Sequence, residues 1–159
     1  MPDAARRGET RLLSCLPRSL ALAICLVALT ATGVFAQATG VTTDVLARGD
    51  LDYSDQTGGP ATVYIGVIEM ARGTSYAGWH THPGPVWVVV TSGQLAVYGP
   101  DGCRTEYASG AAYLAQADTL YDLRNETDQP VRLEFAGVIP AGEAPTIPMP
   151  GQSPTCPAK

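Results

Sequence analysis

The chain has 159 residues, room for one domain, and its 17 glycines, 13 prolines and 16% charged residues suit a turn-rich β-protein better than a helical bundle or a disordered tail. The formal net charge is −5, and four arginines (Arg6, Arg7, Arg11, Arg18) and two acids (Asp3, Glu9) precede Gln37, leaving 6 basic against 13 acidic residues after Ala36. A domain so acidic has no basic face for phosphates, which argues against nucleic acid and against an anionic membrane surface as partners.

Ser19 to Ala36 reads SLALAICLVALTATGVFA, an uncharged apolar run behind the four arginines. A basic region, an apolar stretch and small residues near its end predict a secretory signal over 1–36, cut ahead of Gln37, with the product periplasmic or extracellular. The competing reading is an uncleaved anchor, since the run approaches the ~20 residues that span a bilayer. The small, helix-poor ending ATGVFA favours cleavage. Cys15 precedes the apolar core and Cys25 follows the bulky Ile24, so neither fits lipid attachment. Export removes both and leaves Cys103 and Cys156, a pair expected as a disulfide in an oxidising compartment. It would close a loop of roughly fifty residues and tie the tail to the rest of the domain.

Residues 37–60 are polar and read as a lead-in with one short strand at most. From Ala61 the pattern changes to short apolar runs between turns. ATVYIGVIEM, VWVVVTS and VRLEFAGVI are rich in β-branched and aromatic residues and too short for buried helices. Turns are predicted at Ser92-Gly93, at Gly99 to Gly102, at Ala108 to Gly110 and at Asn125 to Pro130. Strands at this spacing, with no helical pattern between them, predict an antiparallel sandwich or barrel over 61–140. Residues 141–159 carry repeated prolines and no periodicity, and are expected as an extended arm over it.

The chain has two histidines, His80 and His82, in Trp79-His-Thr-His82. On a strand, residues two apart share a face, so both imidazoles project together, half of a first-row metal site. A surface pair, or a pair satisfied by hydrogen bonds in a core, has the same spacing. Trp79 alternates with His80 and is expected on the opposite face.

The stretch Gly78-Trp-His-Thr-His-Pro-Gly-Pro-Val86, then WVVVTS and Gly93, resembles the first motif of the cupin superfamily. There two histidines are followed by a glutamate and, six residues later, by a hairpin glycine. Gly110-AAYLA-Gln116-Ala-Asp118-Thr-Leu-Tyr121-Asp-Leu-Arg-Asn125 is similar to the second motif, which runs glycine, proline, glycine, histidine, asparagine. The resemblance covers Ala61 to Pro140 and implies an all-β double-stranded β-helix, a cupin jelly-roll barrel, between the signal segment and the tail. It implies a divalent metal (Mn, Fe, Ni, Zn or Cu) in the mouth of the barrel.

Departures from the motif bear on that metal. Val86 stands at the glutamate position and has no ligand atom. Tyr121 stands at the second histidine position, and Gln116 and Asp118 replace the proline and glycine. His80 and His82 carry over as metal ligands, Tyr121 as a substitute ligand or an acid/base, and Asn125 as a turn residue. Such a set predicts a weakly held ion and affinity falling below about pH 6, where free imidazoles protonate.

Three readings follow. The leading one is a secreted small-molecule-binding cupin with a weak or degenerate two-histidine metal site. The second is a metal-dependent dioxygenase or isomerase using Tyr121, and the third a structural envelope protein. A homodimer stays open in each. Asn125-Glu-Thr127 matches a glycosylation sequon, but it coincides with a turn expected on structural grounds.

Overall fold

The structure is a computed structural model and describes residues 40–52 and 58–158. The expected signal over 1–36, with Cys15 and Cys25, lies outside these residues. Ten strands occur among the described residues: β1 (Val41–Leu51), β2 (Ala61–Met70), β3 (Ser75–Thr81), β4 (Val86–Ser92), β5 (Gln94–Tyr98), β6 (Arg104–Ala108), β7 (Ala112–Ala115), β8 (Tyr121–Arg124), β9 (Val131–Pro140) and β10 (Ile147–Pro148). No helix occurs among the described residues. The strands form two antiparallel five-stranded sheets, ordered β1-β2-β9-β4-β7 and β10-β3-β8-β5-β6, the double-stranded β-helix expected from the sequence.

Period-two alternation decides what lies between the sheets. On β4, Val86, Val88 and Val90 are buried while Trp87 and Val89 are exposed. Leu95 and Val97 of β5, Leu133 and Ile139 of β9 and Ile68 of β2 complete the same core. Trp79 lies opposite the core, edge-on to Tyr98 at 6.4 Å between ring centroids. Of the 16 buried hydrophobic residues described, 13 are Val, Leu, Ile or Met, each contributing about 1.5–3 kcal/mol of burial.

The lead-in expectation is corrected by β1. It is an 11-residue strand paired antiparallel to β2 from Val41↔Met70 to Leu51↔Ala61, so the barrel begins near Val41. Polar residues hid it because β1 is an edge strand, with most of its outer side chains in solvent.

The turns form where expected. Gly93 has φ of 79°, and a Cβ there would stand 2.6 Å from the Pro130 carbonyl, so both the β4–β5 hairpin and the chain behind it require glycine. Asn125 is 1% exposed. Its amide donates to the carbonyls of Met70 (3.1 Å) and Gln129 (2.8 Å), and its Oδ1 accepts from the Thr127 amide and hydroxyl. The sequon asparagine is thus a buried turn residue pinning the β8–β9 connection to β2.

After β9 the chain returns across the second sheet. β10 pairs with β3 at Thr81 and His80, the Met149 amide donates to the Trp79 carbonyl at 2.8 Å, and Cys156 is joined to Cys103 by a disulfide. The tail is therefore part of the sheet that carries the histidines.

Candidate functional site

The local backbone of β3 is irregular. Its ladder with β8 pairs Tyr76 with Leu123 and His80 with Tyr121, so four steps on β3 match two on β8. Ala77 and Gly78 take up the excess with φ of 56° and 64°. An alanine in the left-handed region is disfavoured, and such bulges commonly re-aim a side chain beside a site. Here the bulge turns the Gly78 carbonyl toward the ring two residues on, and His80 Nδ1 donates to it at 2.7 Å.

His80 is fully buried and His82 is 7% exposed. Their rings lie edge to face with centroids 5.0 Å apart, so the expected convergence holds. His82 Nδ1 donates to the Pro145 carbonyl of the tail at 2.6 Å. A carbonyl only accepts, so each neutral ring carries its proton on Nδ1, and the remaining nitrogen is a bare Nε2 acceptor. Burial pushes the His80 pKa down from 6.5 to about 4, opposed by the hydrogen bond to Gly78 and aided by the neighbouring His82. Burial also lowers that of His82, against the hydrogen bond to Pro145. The expectation of protonation near pH 6 is corrected accordingly: a ring taken out of water resists the charge.

Both histidines line a cavity of about 100 Å3 between the sheets. Its walls are mostly apolar: Ile68, Val86, Val88, Leu123, Phe135 and Ile139, with Tyr64, Tyr76 and Tyr113. Tyr76 stands edge-on to His80 at 5.4 Å, and burial raises the Tyr113 phenol far above its ordinary range, keeping it neutral. Thr146 and Pro145 of the tail close one side, with Thr146 hydrogen-bonded to the Tyr76 hydroxyl at 3.3 Å. Two buried polar side-chain atoms among the described residues have no hydrogen-bond partner, His80 Nε2 and Thr43 Oγ1, and both residues line this cavity.

Val86 is in the wall, as its motif position implied. Tyr121 is not. It is paired with His80 across β3 and β8, but its hydroxyl accepts from the Gln116 amide at 3.2 Å and its ring lines a separate surface pocket with Val97, Tyr107 and Tyr113. The expectation that Tyr121 completes the site is corrected on that ground: the Gln116 amide and the β7–β8 turn hold the phenol. Asp118, at the motif glycine, has φ of 54° and donates its amide to the His82 carbonyl at 2.8 Å. Aspartate tolerates that backbone, so the turn survives the exchange.

The donor set falls short of the metal that cupins often hold. Even an open catalytic site keeps three protein ligands, and no group of three or more His, Cys, Asp or Glu side chains suited to an ion occurs among the described residues. Val86 puts methyl groups where a carboxylate would stand.

Thr43, Tyr76, Tyr113 and Phe135 were not foreseen at the site. The alternation Val41-Thr42-Thr43-Asp44-Val45 was a signal for β1 and for an inward Thr43, which pairs with Ile68 of the core. Tyr76 was concealed by the bulge.

Residues 66–137 match the Cupin domain family. No curated protein matches. Solved structures similar to this chain include an uncharacterised Klebsiella pneumoniae protein with a double-stranded β-helix domain, at 17% identity and a TM-score of 0.53 over 68% of this chain and 84% of that one. A polyketide cyclase from Streptomyces resistomycificus is 18% identical, with a TM-score of 0.55 over 74% and 78%. A DMSP lyase from Ruegeria pomeroyi is 16% identical, with a TM-score of 0.55 over 71% of this chain and 54% of that one. At these identities the likeness is one of fold.

Proposed function

We propose that the chain, whose residues 66–137 match the Cupin domain family, is an exported small-molecule-binding cupin whose ligand sits between the sheets against His80 and His82. The observation that carries this reading is the partly open, mainly apolar cavity containing a buried imidazole acceptor with no partner. Ligand sites are concave and apolar with few convergent polar groups, and an orphaned buried acceptor costs about 1–3 kcal/mol that a ligand can recover. Export is supported by the basic-then-apolar N-terminus and by the Cys103–Cys156 disulfide.

A weakly held divalent ion is the second reading. It is favoured by the two Nε2 atoms left free when both Nδ1 atoms bind carbonyls, since metal-binding histidines are oriented in this way. A dioxygenase or isomerase would need a third ligand beyond these two.

One experiment separates them. A library of neutral compounds of up to about eight non-hydrogen atoms, followed by methyl NMR, should shift Ile68, Val86 and Val88, and Val88→Trp should abolish the shifts by filling the space. Compounds that bind the filled variant equally well would refute the binding reading. In parallel, zinc titration of wild type, Val86→Glu and Tyr121→His should show tighter binding for Val86→Glu alone. Wild type binding as tightly as Val86→Glu would put the metal enzyme first.

A further inference from the structure

The two orphaned polar atoms come from opposite sides of the barrel. Thr43 is on β1 of the first sheet and His80 on β3 of the second. Their shared cavity has no Asp, Glu, Lys or Arg in its lining, which apart from His82 and Thr146 is otherwise apolar or aromatic. This arrangement rests on the binding reading above and narrows its ligand.

We infer that the cavity selects a compact, uncharged molecule with an apolar frame and two oxygens, one a hydroxyl that donates to His80 Nε2, the other meeting Thr43 Oγ1. Each part follows from a feature of the lining. His80 Nε2 can only accept while Nδ1 donates to the Gly78 carbonyl, so the ligand must bring a donor. Thr43 can donate or accept, so it takes a hydroxyl, a ketone or an ether. A charged ligand would leave water and meet no opposite charge in this lining, which disfavours carboxylates and amines alike. Size sets the last limit. At about 100 Å3 the cavity is smaller than the roughly 150 Å3 that accommodates benzene, so it takes a frame of about five carbons, with the rest of the ligand toward its open side.

Neither anchor is a surface accident. His80 is held by the bulge at Ala77 and Gly78 and by the edge of Tyr76. Thr43 is held in register by the β1–β2 ladder opposite Ile68. A ligand that joined them would span the two sheets and satisfy both orphans at once.

The test uses the purified protein with its disulfide intact and four probes: cyclopentane-1,3-diol, cyclopentanol, cyclopentyl methyl ether and cyclopentanecarboxylate. Affinities come from titrations followed by methyl NMR. The diol should bind about tenfold tighter than cyclopentanol, the gain of one buried hydrogen bond, and cyclopentanol tighter than the ether, which cannot donate to His80. The carboxylate should bind at least tenfold more weakly than the diol. Thr43→Val should level the diol and cyclopentanol, while Thr43→Ser, which keeps the hydroxyl, should preserve the difference. A diol no tighter than cyclopentanol, a preference unchanged in Thr43→Val, or a carboxylate that binds best would each overturn the inference. Failure of all four probes, with binders found in the neutral library, would overturn it and leave the binding reading standing. Failure of both would remove the two together.

Discussion

His80 makes the stability of this fold depend on pH in a direction and window that can be worked out. Its pKa is about 4 in the folded chain and 6.5 when exposed. The folded value is the lower, so between pH 6.5 and 4 the unfolded chain binds more protons and stability falls as the solution is acidified. Linkage with these two values gives a loss of about 2 kcal/mol between pH 7 and 5 and about 3 kcal/mol by pH 4. That is a large part of the 5–15 kcal/mol typical of a small domain. Urea unfolding at pH 7, 6 and 5 would measure it, with His80→Gln as the reference, because glutamine keeps an amide donor for the Gly78 carbonyl and does not titrate. His82, lowered in the same direction, contributes to the slope of both proteins, so the difference between them reports His80. A wild-type slope equal to that of His80→Gln would refute the argument that burial holds this ring neutral.

Replacing Cys103 and Cys156 by serine should remove up to about 4 kcal/mol in the loop-entropy account, the bridged residues being 53 apart. The loss should fall first on the tail, and hydrogen exchange at the Met149 amide, which donates to Trp79, reads it directly. Unchanged protection there, or two free thiols in the exported protein, would count against it. Asn125→Ala breaks four hydrogen bonds in a buried turn and should cost about 3 kcal/mol by thermal or urea unfolding, where a surface turn residue would cost under 0.5. N-terminal sequencing of exported protein should begin near Gln37; material starting at Met1 in a membrane fraction would establish an anchor instead.

The barrel was legible from short β-branched runs and glycine turns, because alternation on a sheet is imposed by which face is buried. Val86, Val88 and Val90 alone place β4 with one face in the core. The histidine pair was legible for the same reason, and so was the missing carboxylate at Val86. The disulfide partners followed from counting cysteines. Two readings went wrong where the deciding contact lies far away in sequence. β1 looked like polar lead-in because this edge strand is held by its ladder with β2 while most of its side chains stay exposed, and nothing within 41–51 announces that partner. Tyr121 looked like a ligand because its motif position matched, but one hydrogen bond to Gln116 commits its phenol elsewhere.

By itself, then, the sequence determined the strand pattern, the turns, the acidic character after Ala36 and the convergence of His80 and His82, all of which depend on near neighbours and on a period of two. The tertiary structure alone decided what surrounds those rings. Thr43 comes from the first described strand, Pro145 from the tail and Phe135 from β9. Burial lowers the imidazole pKa values and leaves His80 Nε2 without a partner, while the Gly78 and Pro145 carbonyls fix the protons on Nδ1. Those are properties of the space between the sheets, and its walls are made by residues about a hundred positions apart in the chain.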